Sequence, residues 1–125
     1  MTYADYNKVL VKKNLPIIEA VKLMNKHAMQ ILLVTDDQKN LTGIITDGDI
    51  RRAILNNVDF AESIELIMSR NPITIPHPPD KQTAIRLMKK HDVRHIPILD
   101  HNGKISGLLL WKDFFSNGDV AVTKK

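Results

Sequence analysis

The sequence predicts a mixed α/β (α+β) fold built from two pseudo-symmetric β-α-β-β-α repeats packed sheet to sheet. Three observations predict it. The chain aligns with itself without a gap at an offset of 64 residues. In each copy a stretch of helical period precedes two apolar strands. Polar turn residues separate those strands at matching positions in both copies.

The repeat is the firmest of the three, because self-similarity at a fixed spacing marks a duplicated structural unit. Ala20-Val21-Lys22-Leu23-Met24-Asn25-Lys26-His27 overlays Ala84-Ile85-Arg86-Leu87-Met88-Lys89-Lys90-His91. Farther along, Asp36 meets Asp100, Gly43 meets Gly107 and Asp49 meets Asp113. Between residues 20 and 52, 8 of 33 positions are identical, and most others exchange like for like, as Leu41 with Ile105. The repeats are expected at 1–62 and 63–125. A unit of this size buries too little surface to be comfortable alone, so two copies are expected to share a core.

Each element has its own signal. Lys8–Val11 and Ile73-Thr74-Ile75 read as short opening strands. Ile17, Ala20, Val21, Met24 and Ala28 make one apolar helical stripe, answered in the second copy by Ala84, Ile85 and Met88. Pro16 and Pro78-Pro79-Asp80 stand where those helices would start. Ile31–Thr35 and His95–Leu99 are nearly all apolar and read as strands buried on both faces. Polar turns follow, Asp36–Asn40 and Asp100–Gly103, the latter with an Asn102-Gly103 hairpin signal. Strands 41–45 and 105–109 come next, and then a helix opens near Asp49 or Asp113. Asn56–Arg70, with a short helical piece around Ile64, Ile67 and Met68, reads as the connection.

Composition narrows the function. At 43% hydrophobic and 26% charged residues the chain is a globular protein with a real core. No window approaches the ~20 apolar residues of a membrane span. Met1–Asp5 lacks the charged start and apolar stretch of a signal peptide, so a soluble cytoplasmic protein is expected. With no cysteine there is no disulfide, thiolate nucleophile or zinc–thiolate site. The net charge of +4 is scattered and aromatics are 5%, which argues against a nucleic-acid stripe.

The stretch that carries chemistry is Gly43-Ile44-Ile45-Thr46-Asp47-Gly48-Asp49-Ile50-Arg51-Arg52. A buried strand ends at Thr46 and a helix begins shortly after. Its N-terminus offers backbone N–H groups and a positive dipole end suited to phosphate. Thr46 can add a hydroxyl, Asp49 can accept both hydroxyls of a ribose, and Gly48 lets the turn come close. Thr46-x-x-Asp49 is equally a capping box that serves only the helix. In the second copy Leu110 stands where Thr46 does and cannot cap, yet Asp113 remains. That favours a separate role for the acid, or simple dipole complementation. Both readings stand on the residues alone.

With these residues the chain resembles a tandem pair of CBS domains, the Bateman module. The resemblance covers residues 8–116 and rests on the Asp-to-Gly spacing, Arg94-His95-Ile96-Pro97-Ile98 and the Asp49 and Asp113 endings. More narrowly, Thr46–Arg52 followed by Asn71-Pro72-Ile73-Thr74-Ile75 is similar to pairs attached to sugar-phosphate nucleotidyltransferases, and pairs of sugar-phosphate isomerases carry a similar run. The resemblance implies a regulatory module that binds AMP, ADP or ATP and controls an attached or partner enzyme, without activity of its own. It assigns ribose to Asp49 and phosphate to Thr46, with Asp47, Gly48 and Arg52 beside them. Ile73, Thr74 and Ile75 would complete that cleft. A second, weaker cleft would use Asp113, with Arg94, His95 and Pro97 and with Val9 and Leu10. A homodimer stacked through its helices is implied as well.

Other classes compete. A structural dimerisation module with vestigial clefts fits the same residues, and so does a polyanion binder, which salt dependence would separate. His91-Asp92-Val93-Arg94-His95 imitates a zinc-protease motif, but the repeat puts His91 at a helix end and His95 in a strand. No nucleophile elbow or phosphate-binding P-loop occurs. Phe114-Phe115 could serve dimer packing or fill the core. Asn117–Lys125 reads as a tail, and the chain could be a fragment of a longer protein or a free-standing subunit.

Overall fold

A computed structural model describes residues 5–114. Phe115 and the tail expected at Asn117–Lys125 lie outside the described residues. The described residues form two compact units, one spanning Tyr6–Pro72 and the other running from Ile73 to Phe114 and including Asp5.

The first unit holds β1 (Leu10–Val11), α1 (Ile17–His27), β2 (Ile31–Thr35), β3 (Leu41–Thr46) and α2 (Asp47–Leu55). Its sheet runs β1-β2-β3, with β1 parallel and β3 antiparallel to β2. All of β2 is buried, as its unbroken apolar run requires of a central strand. α1 turns Ile17, Ala20 and Met24 inward. Ala28, expected to extend that stripe, is instead the left-handed C-cap with φ 52°, and Lys26 and His27 sit at the dipole's negative end.

The second unit repeats the plan with β4 (Ile75–Pro76), α3 (Lys81–His91), β5 (His95–Leu99) and β6 (Ile105–Leu110). Its core joins Ile75, Ala84, Met88, Ile96, Ile98, Leu109 and Phe114, each buried. The isoleucine, leucine, methionine and phenylalanine side chains among these contribute about 1.5–3 kcal/mol apiece when fully removed from water. Phe114 therefore fills the core. Asp80, after the two prolines, caps α3 by accepting from the Thr83 N–H at 2.8 Å.

The offset of 64 residues holds down to single hydrogen bonds. Ile31 pairs with Thr46 and Val34 with Gly43; His95 pairs with Leu110 and Ile98 with Gly107. Both hairpins slip register at the same step, Val34/Thr35 and Ile98/Leu99. Thr42 Oγ1 donates to the Val34 carbonyl as Ser106 Oγ does to that of Ile98. Each loop is gathered by an aspartate, Asp36 or Asp100, whose Oδ1 accepts the N–H groups two and four residues on. The loops thus span five residues from strand to strand, not the tight two-residue turn that Asn102-Gly103 suggested.

Three expected boundaries move. Lys8 and Val9 lie in a 3-10 turn, Tyr6–Val9, so the first strand is shorter. β4 begins at Ile75, so Ile73 and Thr74 precede it, and it meets β5 one step later than β1 meets β2. Pro97, which stands where Leu33 does, has no N–H to give a neighbour at the earlier step. The second copy's closing helix is described as one 3-10 turn, Trp111–Phe114. The connection Ile64–Ser69 is held to the first unit, Ile64 donating to the Leu15 carbonyl and Ser69 bridging Ile44.

Candidate functional site

Thr46 ends β3 in extended conformation and is at once the N-cap of α2, so the helix starts at Asp47, sooner than the sequence suggested. The capping box is complete. Thr46 N–H donates to Asp49 Oδ2 at 2.9 Å, and Asp49 N–H donates to Thr46 Oγ1 at 3.4 Å. Thr46 Oγ1 also donates to Asp49 Oδ2 at 3.2 Å. The other carboxylate oxygen, Oδ1, accepts from Ser69 Oγ at 3.1 Å and from Arg52 Nη2 at 2.8 Å. A carboxylate offers about four acceptor positions, and four donors are present here.

Those donors differ in how firmly they are held. Asp49 is 5% exposed. Thr46 is fixed by the strand end, and Ser69 by a two-way backbone pairing with Ile44 at 2.9 Å each way. Gly43 permits that pairing: a Cβ there would stand 2.9 Å from both Met68 Sδ and the Ser69 carbonyl oxygen. The Arg52 side chain is 65% exposed, so its contact is the replaceable one. Ser69 escaped the sequence reading. The available signal was Gly43 inside an apolar strand, which marks a close backbone approach without saying what approaches.

The other expected site residues lie as follows. Asp47 is exposed and lines an open groove of about 410 Å³ with Val21, Asn25 and Ile50, between α1 and α2. Two residues is about 200° around a helix, so Asp47 and Asp49 face different ways. Gly48 lies in the first turn, where a Cβ would meet Arg52 Nη1 at 3.3 Å. Arg51 is exposed. Ile73 and Thr74 are half-buried and Ile75 is buried in β4, all in the second unit.

At the second ending, Leu110 is buried at the end of β6 and the Trp111 N–H donates to the Arg94 carbonyl at 2.8 Å. Asp113 is half-buried in the following 3-10 turn. His95 opens β5 opposite Leu110, and Pro97 is buried at its centre. Arg94 is exposed. Val9 is buried and Leu10 half-buried, both in the first unit. His91 is the last residue of α3 and Asp92 its left-handed C-cap with φ 53°, so the two histidines do not share a helix. Among the described residues no group of three or more His, Cys, Asp and Glu could hold a metal ion. Among them, too, no helix is long and apolar enough to cross a membrane.

A family model described as "CBS domain" matches this chain twice, at residues 4–56 and 61–118. The CBS domain pair of protein MJ0100, solved with 5′-methylthioadenosine and S-adenosyl-L-methionine, is 30% identical with a TM-score of 0.77; the match covers 85% of this chain and 87% of that one. The AMP-complexed CBS domain protein PAE2072 from Pyrobaculum aerophilum shares the fold at 22% identity and TM-score 0.81, over 91% and 88% of the two chains. Inosine-5′-monophosphate dehydrogenase from Aquifex aeolicus is 32% identical over 86% of this chain and 22% of its own length. Arabinose 5-phosphate isomerase GutQ from Salmonella typhi is 26% identical over 83% and 32%. The chain spans 20–63% of the length of the first curated relatives it matches.

Proposed function

Because the chain belongs to the CBS domain family and carries two such domains in tandem, we propose that it is a regulatory module that binds an adenosine nucleotide and reports its occupancy to an attached or partner enzyme. The observation that carries the proposal is the Asp49 carboxylate, buried at a helix start with three donors fixed and one, Arg52, on an exposed arm. A ribose hydroxyl takes the place of Arg52 on Oδ1, and the released guanidinium is then free to pair with phosphate near Thr46. Gly48 leaves room for this, and Ile73, Thr74 and Ile75 are the base-side residues of the same reading. The second ending, with Leu110 in place of the hydroxyl, gives Asp113 no equivalent of Thr46 and makes a weaker site with Arg94, His95, Pro97, Val9 and Leu10.

Support for the ligand class comes from the adenosyl compounds held by the related MJ0100 pair. The dehydrogenase and the isomerase are enzymes in which a similar segment forms part of a longer chain. The isomerase acts on a sugar phosphate, and a sugar-phosphate enzyme, a nucleotidyltransferase included, is the class proposed for the controlled partner. The module works as a homodimer. Regulation requires that the ligand bind two arrangements of the module with different affinity.

A second reading has its own observation. The capping box is complete without any ligand, so Asp49 already has a structural task and the module could serve dimerisation alone. Calorimetric titration with AMP, ADP, ATP, GTP and S-adenosyl-L-methionine separates the two. Adenosine-ligand binding that Asp49→Asn abolishes and Asp113→Asn spares, both variants folded by circular dichroism, is the expected result. A folded protein that binds none of the five would overturn the proposal and leave the cap.

A further inference from the structure

We infer that Ser69 is a second ribose-binding residue beside Asp49: one of the two neighbouring ribose hydroxyls donates to Asp49 Oδ1 and the other to Ser69 Oγ. The inference deepens the adenosine-nucleotide reading above and rests on it. A carboxylate holds both hydroxyls of a ribose by offering one oxygen to each, and at Asp49 one oxygen is already taken. Oδ2 accepts the Thr46 N–H at 2.9 Å and the Thr46 hydroxyl at 3.2 Å, which fills the lone-pair positions of that oxygen. Thr46 Oγ1 also accepts the Asp49 N–H at 3.4 Å, so the atom stays in front of Oδ2. On Oδ1 the Ser69 hydroxyl holds one position at 3.1 Å and Arg52 Nη2 the other at 2.8 Å. Arg52 reaches its position on an arm 65% exposed and can leave it. Asp49 therefore has one place for a ribose hydroxyl, and the second hydroxyl needs another acceptor.

Ser69 supplies it. Its Oγ gives its single hydrogen to Asp49, and a hydroxyl oxygen has two acceptor positions besides. The 3.1 Å between Ser69 Oγ and Oδ1 is close to the separation of two oxygens on adjacent ribose carbons. The side chain is half-buried, not sealed. Its place is set by the backbone, because Ile44 and Ser69 exchange N–H···O bonds at 2.9 Å each way. The acceptor is thus in position before any ligand arrives. A chain running from ribose hydroxyl to Ser69 to Asp49 is cooperative, each bond polarising the next.

Calorimetry with AMP, 2′-deoxy-AMP and 3′-deoxy-AMP tests this on the unmodified chain, Ser69→Ala and Asp49→Asn. On the unmodified chain both deoxy analogues bind more weakly than AMP. The one lacking the Ser69-bound hydroxyl loses about two- to tenfold, as for a neutral hydrogen bond. In Ser69→Ala the ratio of AMP to that analogue falls to about one, while the ratio of AMP to the other analogue persists. Ser69→Cys, of the same shape but a weak acceptor, gives the same ratios should Ser69→Ala lose its fold by circular dichroism. An equal loss for all three nucleotides overturns the inference and leaves Ser69 a support for Asp49. A deoxy analogue that binds the unmodified chain as tightly as AMP overturns it too. Both results leave the adenosine reading standing, provided that Asp49→Asn abolishes AMP binding; AMP binding that survives this variant overturns the inference and the Asp49 assignment together. A chain that binds none of the three overturns the inference, and one that also refuses ATP and S-adenosyl-L-methionine overturns the adenosine reading with it.

Discussion

Replacing Asp49 by alanine tests how much of the first unit hangs on one carboxylate, apart from any ligand. The variant breaks the capping box, for which about 1 kcal/mol is the usual cost. It also leaves the Ser69 hydroxyl and the Thr46 N–H without their acceptor in a part-buried setting, about 1–3 kcal/mol more. The Arg52 pair adds at most about 1 kcal/mol, because the guanidinium side is 65% exposed and solvent-screened. The sum is about 2–5 kcal/mol, or a fall in melting temperature of roughly 8–20 °C for a chain of this length. Urea unfolding followed by circular dichroism and by the fluorescence of Trp111, the one tryptophan, reads it. Coincident transitions would license a single stability value. A loss under about 0.5 kcal/mol would refute the reasoning, as would Arg52→Ala costing more than Asp49→Ala.

Further expectations concern the scaffold. Gly43→Ala drives a methyl against Met68 and the Ser69 carbonyl and should cost about 1–3 kcal/mol as overpacking. Gly103→Ala meets nothing within 4 Å yet sits at φ +80°, so its smaller penalty, about 1 kcal/mol, is conformational; denaturant midpoints of the two variants separate the causes. Met88→Ala, in the second core, should cost about 2–5 kcal/mol by the same measurement. The Asp100 carboxyl is held below its usual range chiefly by the Lys104 N–H, and Asp80 by the Thr83 hydroxyl and N–H. Their folded pKa values lie below the unfolded ones, so their stabilisation is present above the ordinary carboxylate range and is lost as pH falls through the depressed values. Asp100→Asn should flatten that acid limb of a stability–pH curve.

The repeat made the fold legible. Periodicity and turn chemistry are local, so α1, α3, β2 and β5 fall where the sequence puts them. The failures are tertiary in origin. β4 slides because proline lacks a donor, and Asn102-Gly103 does not close a tight turn because Asp100 gathers a five-residue loop first. Thr46 and Asp49 were legible as a pair from their spacing. Ser69 was not, since it reaches Asp49 from 20 residues away through a contact that a glycine makes possible.

The identical registers of the two hairpins have a cost during folding. A chain that carries the same pairing code twice can zip a strand of one copy onto the partner strand of the other, within a molecule or between two. β3 would accept β5 at the same steps at which it accepts β2, bulge included. What separates native from exchanged pairing is then the few places where the copies differ in backbone chemistry. Pro97 is such a place: β5 standing in for β2 would give β1 no N–H where Leu33 offers one, so the difference of one residue helps to sort each strand to its own sheet.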